Sequence, residues 1–209
     1  MSERYRTIGD TGRARFDIQG SEFVGHAAPV DTVAAAEAFV DLIRERYADA
    51  THNVPAYRVP AGEGDAGPGD RDVMLREYAS DDEEPTGSAG KPALNVLQQR
   101  GLRNVVVVVT RYYGGTNLGV GGLARAYARA VTAAVDDAGV VEERPHERFH
   151  VGTSYDDSGT VRGILESVDV EFDADYEDDV TFAVRVPTAE ADALRDRLRS
   201  ATSGRAEIE

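Results

Sequence analysis

The chain has 209 residues, 41% of them hydrophobic and 29% charged, enough to bury one large core or two small ones. Its longest unbroken apolar run is Val105–Val109, far below the roughly 20 residues of a bilayer span. Cysteine is absent, which excludes disulfides, thiolate metal sites and cysteine nucleophiles.

No apolar stretch follows Met1–Thr7, so no secretory signal is expected and the chain reads as cytoplasmic. The formal charge is −15, from 38 acids and 23 bases, and Lys91 is the one lysine. A dense carboxylate surface keeps a protein hydrated in molar salt, where charge repulsion is screened to about 3 Å. The host is therefore expected to be halophilic, and the global charge to report on solvent rather than on partners.

In chain order, Phe23–Ala27 reads as a strand and Asp31 as the N-cap of a helix over Thr32–Ala48, with Val33, Ala36, Phe39, Val40 and Ile43 at helical spacing. Val54–Val59 and Val73–Tyr78 read as strands on either side of AGEGDAGPGDRD, about residues 61–72, whose Gly, Asp and Pro predict a mobile loop. Pro92 suits a first helical turn, Leu94 and Leu97 give that helix an apolar face, and Gly101 ends it. The β-branched run Asn104–Thr110 predicts a strand buried on both faces. A glycine-rich loop then leads into a helix over about Gly122–Asp137.

Beyond about residue 143 the pattern becomes strand His146–Tyr155, helix Thr160–Ser167, strands Asp169–Tyr176 and Val180–Val186 around Glu177-Asp178-Asp179, helix Ala189–Ser200 and strand Arg205–Ile208. That order, βαββαβ, is the ferredoxin-like unit. The fold class is α+β with two domains, residues 1–142 and 143–209.

Local charge is more informative than the total. Ser88–Val135, 48 consecutive residues, contains no acid and six bases: Lys91, Arg100, Arg103, Arg111, Arg125 and Arg129. About nine acids would stand there at the chain's average frequency. Burial accounts for missing acids but not for six bases, so the window is read as an anion-facing surface, with ion pairing to the acidic remainder as the alternative.

Within it, Gly114, Gly115, Gly119, Gly121 and Gly122 let a backbone approach a ligand and expose N–H groups at a helix start, where phosphate is favoured. Asn117 lies in the same loop, and Tyr112 and Tyr113 are placed to stack on bases beside Arg111. Tight turns packed against a helix are the alternative. Gly119–Ala124 fits G-x-G-x-x-A, but the preceding strand ends too early for a dinucleotide site.

His52, Asn53, Asp81, Asp82, Glu84, Thr86 and Ser88 form a candidate polar site. Gly87–Lys91 lacks Walker spacing, and Ser88-Ala89-Gly90-Lys91 lacks the partner motifs of a serine acyl-enzyme. The turn Asp81–Glu84 is expected to be solvated and to cap the next helix, with Mg or Mn bound by its carboxylates and His52 as the alternative. The four histidines offer no zinc spacing, and neither metal nor cofactor is expected.

The segments ATHNVPAYRV (Ala50–Val59), SDDEEPTGSAGKPALNVL (Ser80–Leu97) and VVVVVTRYYGGTNLGVGGLARAY (Val105–Tyr127), with Phe23-Val24-Gly25 and Pro29-Val30 before them, resemble the IMPACT/YigZ family in order and spacing. Glu83 stands where that family usually has glycine, and Ser88 where it usually has threonine. The resemblance implies a first domain folded like the second domain of the fifth small-subunit ribosomal protein, then a ferredoxin-like domain, the pair arranged like the last two domains of elongation factor G. It also implies a link to translation, since eukaryotic relatives restrain the starvation-sensing kinase of initiation by competing for its ribosome-bound activator. The extra N-terminal domain of those relatives has no counterpart here, so kinase control is not expected to transfer.

The reading is a non-enzymatic translation-associated regulator. It would bind RNA or the ribosome through Lys91, Arg111, Tyr112, Tyr113, the Gly114–Gly122 segment and Arg125, with a translation factor as a further possible partner. No membrane association is expected, and the oligomeric state is left open. The alternative is an enzyme acting on a phosphorylated small molecule at the same loop, with His52 and Asp82 as acid–base or metal-binding groups.

Overall fold

The computed structural model describes residues 4–61, 74–177 and 179–209, so all of the 61–72 loop but Ala61, together with Val73 and Asp178, lies outside the described residues. The described chain forms two compact units, meeting in sequence between Glu143 and Arg144.

The first unit contains strands β1 (Tyr5–Ile8), β2 (Gly12–Ile18) and β3 (Ser21–Pro29), helix α1 (Val33–Arg46), strands β4 (His52–Pro60) and β5 (Leu75–Ala79), helix α2 (Gly90–Gln99), strand β6 (Val105–Tyr112), helix α3 (Gly119–Ala138) and strand β7 (Val140–Glu143). Five strands make one sheet in the order β2-β3-β6-β4-β5, every neighbouring pair antiparallel, while β1 and β7 pair separately. Because β3 and β4 both oppose β6, they run in the same direction, and α1 carries the chain from one to the other. By the same reasoning β5 and β6 are co-directional and are bridged by α2.

The β-branched run works as its composition predicts. Val105, Val107 and Val109 pack with α2 and α3 on one face, and Val106 and Val108 pack with Ala36, Val40 and Ile43 of α1 on the other. All five are 0% exposed, each burial stabilising by roughly 1.5–3 kcal/mol. Helix α3 lies close against β2 and β3. A Cβ at Gly25 would stand 2.4 Å from the Ala130 carbonyl oxygen, and one at Gly12 would stand 2.0 Å from that of Ala134.

Two local signals of the first unit are shifted. Thr32, not Asp31, caps α1, its side chain accepting from the Ala35 N–H at 3.1 Å. Helix α3 starts at Gly119, three residues before the expected Gly122, so Gly119, Gly121 and Gly122 form its first turn rather than a preceding loop.

The second unit contains β8 (His146–Thr153), α4 (Tyr155–Ser167), β9 (Glu171–Tyr176), β10 (Val180–Pro187), α5 (Thr188–Ala201) and β11 (Glu207–Ile208). Its antiparallel sheet runs β11-β8-β10-β9, the ferredoxin-like order. Alternate residues of β8 and β10, Phe149 and Val151 with Val180, Phe182, Val184 and Val186, bury against Val161, Leu165, Leu194 and Leu198 of the two helices. The fold is α+β in two domains, as expected. No described helix is long and apolar enough to cross a membrane.

Candidate nucleic-acid interface

The topology gathers the candidate residues at one end of the five-stranded sheet. Arg111, near the end of β6, stands opposite Phe23 at the start of β3 and His52 at the start of β4. Strand β5 ends at the same edge, so the Ser80–Ala89 connection and the N-termini of α2 and α3 all meet there.

The acidic connection is largely internal. Asp81 accepts from the backbone N–H groups of Gly87 at 2.7 Å, Gly90 at 2.9 Å and Ala89 at 3.0 Å, and so caps α2. Burial alone would raise its pKa, but these donations outweigh it and hold the carboxyl below its ordinary value. Asp82 accepts from the Asn53 N–H at 2.6 Å, and its carbonyl lies 2.7 Å from His52 Nδ1. A carbonyl can only accept, so Nδ1 carries the proton and Nε2 faces Glu84 Oε1 at 3.7 Å. Asn53 is itself locked, donating to the Tyr47 carbonyl and accepting from the Thr110 hydroxyl.

Glu83 is exposed and Asp81 and Asp82 are half-buried, but Glu84 is only 7% exposed, which corrects the expectation of a solvated turn at that residue. Its Oε1 accepts from Arg111 Nη1 at 2.5 Å and from the Tyr127 hydroxyl at 2.7 Å. Burial, then the bond to Glu84, drives the Tyr127 phenol well above its ordinary pKa, so it stays a neutral donor. Arg111 also donates to Ser21 Oγ at 3.3 Å, and its guanidinium lies 5.4 Å from the Phe23 ring centroid and 5.3 Å from that of Tyr113. At 4% exposure it is a buried counter-charge, which corrects its expected role as a phosphate contact. Among the described residues, no three His, Asp or Glu side chains are grouped to hold a metal ion. Ser88 is fully buried and its hydroxyl has no hydrogen-bond partner among the described residues, while Thr86 is exposed.

The six bases divide by environment. Arg111 pairs with Glu84, and Arg100 pairs with Asp136 at 2.7 Å. Arg103 covers the Tyr5 ring and Arg129 the Phe16 ring, at 4.0 and 4.2 Å from the centroids. Lys91 and Arg125 are exposed, and neither is ion-paired among the described residues.

The glycines divide in the same way. A Cβ on Gly114 would lie 1.9 Å from the Gly20 carbonyl carbon, so packing demands that glycine. Gly115 and Gly119 hold φ of +85 and +69, and a Cβ on Gly122 would crowd Leu118 at 3.0 Å. Gly121 has neither constraint; a Cβ there would meet only Arg125 Nη1, at 3.5 Å. Helix α3 begins with no side-chain cap and no acid in its first turn.

Tyr113 is 45% exposed, with its hydroxyl bonded to Asn117 Oδ1. Tyr112 is less exposed and donates to Asp49 Oδ1 at 2.9 Å. Sequence reasoning passed over Tyr127 and Ser21. A tyrosine among the apolar residues of α3 was the available signal, since a buried phenol needs a partner.

The Impact N-terminal domain profile matches residues 19–135, which hold this whole edge. The chain belongs to the IMPACT family. A second profile, the domain of unknown function DUF1949, matches residues 151–205. The IMPACT family member YvyE of Bacillus subtilis (strain 168) is 34% identical over 209 residues, covering all of this chain and 91% of that protein. Protein IMPACT of Xenopus laevis is 35% identical over 101 residues, 47% of this chain and 29% of that protein. A crystal structure described as that of a hypothetical protein superposes with a TM-score of 0.69 at 29% identity, covering 100% of this chain and 97% of that one.

Proposed function

We propose that this IMPACT family member is a translation-associated regulator that contacts RNA, on the ribosome, through the edge formed by the first turns of α2 and α3. The observation that carries this reading is the placement of Lys91 and Arg125, exposed and without ion pairs among the described residues of a chain whose net charge is −15. Lys91 stands in the first turn of α2, where the dipole already supplies positive charge and a cation is disfavoured, and Arg125 stands in the second turn of α3, one turn beyond Gly121. An anion relieves that repulsion, and Gly121, with no packing reason to be glycine, leaves the α3 backbone open to one.

The link to translation rests on the family resemblance, whose eukaryotic members act on a ribosome-bound activator. This reading places the protein in the cytoplasm, in a cell whose salt matches its acidic, lysine-poor surface.

The enzyme alternative is less well supported. The groups it needs, His52 and Asp82, are already engaged: His52 Nδ1 by the Asp82 carbonyl and Nε2 towards Glu84, and the Asp82 carboxylate by the Asn53 N–H. The test is RNA binding across a salt series. Lys91→Ala with Arg125→Ala should weaken binding and lower the slope of log K against log salt by roughly 1.4, about 0.7 per lost single-strand phosphate contact. An unchanged slope contradicts the assignment.

A further inference from the structure

We propose that the RNA taken at this edge is single-stranded, with one unpaired base stacked on the ring of Tyr113. This rests on the RNA-binding reading above and names the class of RNA it accepts. Tyr113 is 45% exposed yet held at both ends: its backbone N–H donates to Thr51 Oγ1 at 2.9 Å and its hydroxyl to Asn117 Oδ1 at 3.1 Å. The Arg111 guanidinium lies 5.3 Å from the ring centroid and is itself fixed by Glu84. With the guanidinium over the ring, nearly half of the residue is still left to solvent.

A ring whose torsions are already set loses little conformational freedom on stacking. A base laid on the ring would extend one stack of guanidinium, phenol and base. A duplex offers no free base face in its interior, whereas single strands present one at every nucleotide. Tyr112 is not equivalent, because its hydroxyl is held by the acidic Asp49, which repels a passing phosphate. Lys91 and Arg125 would hold the flanking phosphates, and neither can read whether a base is paired.

The chain contains no tryptophan, so Tyr113→Trp introduces a single indole at the proposed platform. That variant is titrated with a mixed-sequence RNA of about 12 nucleotides, alone and annealed to its complement. Quenching of the indole by the single strand, with much weaker binding of the duplex, is the expected result. Tyr113→Ala should weaken single-strand binding by about 10-fold or more, and Tyr113→Phe should stay within about threefold of wild type. Circular dichroism verifies that each variant is folded.

If RNA binds but the indole emission is unchanged, or if Tyr113→Ala or the duplex binds as well as wild type with single strand, the stacking inference is wrong and the phosphate-contact reading stands. If the wild type binds no RNA of either kind, both are wrong.

Discussion

Glu83 holds φ +69 beside Asp82 at +47, both in the left-handed region that favours glycine. A side chain costs about 1–2 kcal/mol there, partly offset by the extra freedom glycine has in the unfolded chain. Glu83→Gly should therefore raise stability by about 0.5–1 kcal/mol in urea unfolding; destabilisation would mean that the Glu83 side chain makes a compensating contact. One residue on, Glu84 neutralises Arg111 in a buried site. Glu84→Gln leaves that guanidinium uncompensated and should cost about 3 kcal/mol, and Tyr127→Phe about 1–2 kcal/mol, measured in the same way. The sequence marked Arg111 and Glu84 as candidates, in separate groups and not in these roles, and it gave Tyr127 none. Arg111 reads as a surface base because its acid lies 27 positions away, and only the β3–β6–β4 register turns it inward.

At the scale of elements, the glycines after β6 separate packing from access. Gly114→Ala must push apart two backbones and should destabilise by about 3 kcal/mol, whereas Gly121→Ala in a first helical turn should be neutral or stabilising by up to about 1 kcal/mol. If α3 opens its backbone to phosphate, Gly121→Ala should still weaken RNA binding, and a folded variant with wild-type affinity would remove that glycine from the interface.

Helices α1, α2 and α5 and the paired strands of the second unit were legible because periodicity is local. Strands β1 and β7 were missed, as four-residue segments paired from Tyr5 to Glu143 leave no local trace. Strand β2 did carry one, the alternation Ala14, Phe16, Ile18 against Arg13, Arg15, Asp17.

Strand β3 also carries an acid-sensitive group. His26 is 6% exposed beside Tyr47, and burial, then the charges of Arg13 and Arg46, push its pKa down to about 4. The unfolded chain takes up that proton near pH 6.5, so the contribution is complete above pH 6.5 and is lost as pH falls towards 4. Urea unfolding across that window should show a loss approaching about 3 kcal/mol that His26→Phe removes; an equal loss in the variant would assign the effect to other groups.

For the whole molecule, charge describes two things at once. The −15 total and the single lysine suit a protein hydrated in concentrated salt, and the melting temperature should rise steadily from low salt towards molar KCl. A flat response would remove the halophilic reading and leave the acidity unexplained. The acid-free window is partly core and partly surface. Two of its six bases pair with acids, Arg103 and the still-exposed Arg129 lie over aromatic rings, and Lys91 and Arg125 have neither kind of partner among the described residues. Composition located the window, but only the three-dimensional pairing separates those two bases from the rest.

The most direct test is co-sedimentation with ribosomes from lysate at native salt, comparing wild type with the Lys91→Ala, Arg125→Ala double variant. Wild type should travel with a ribosomal subunit and the folded double variant should remain in the supernatant. Equal sedimentation of the two, or of neither, would contradict the claim that these two cations form the ribosomal contact.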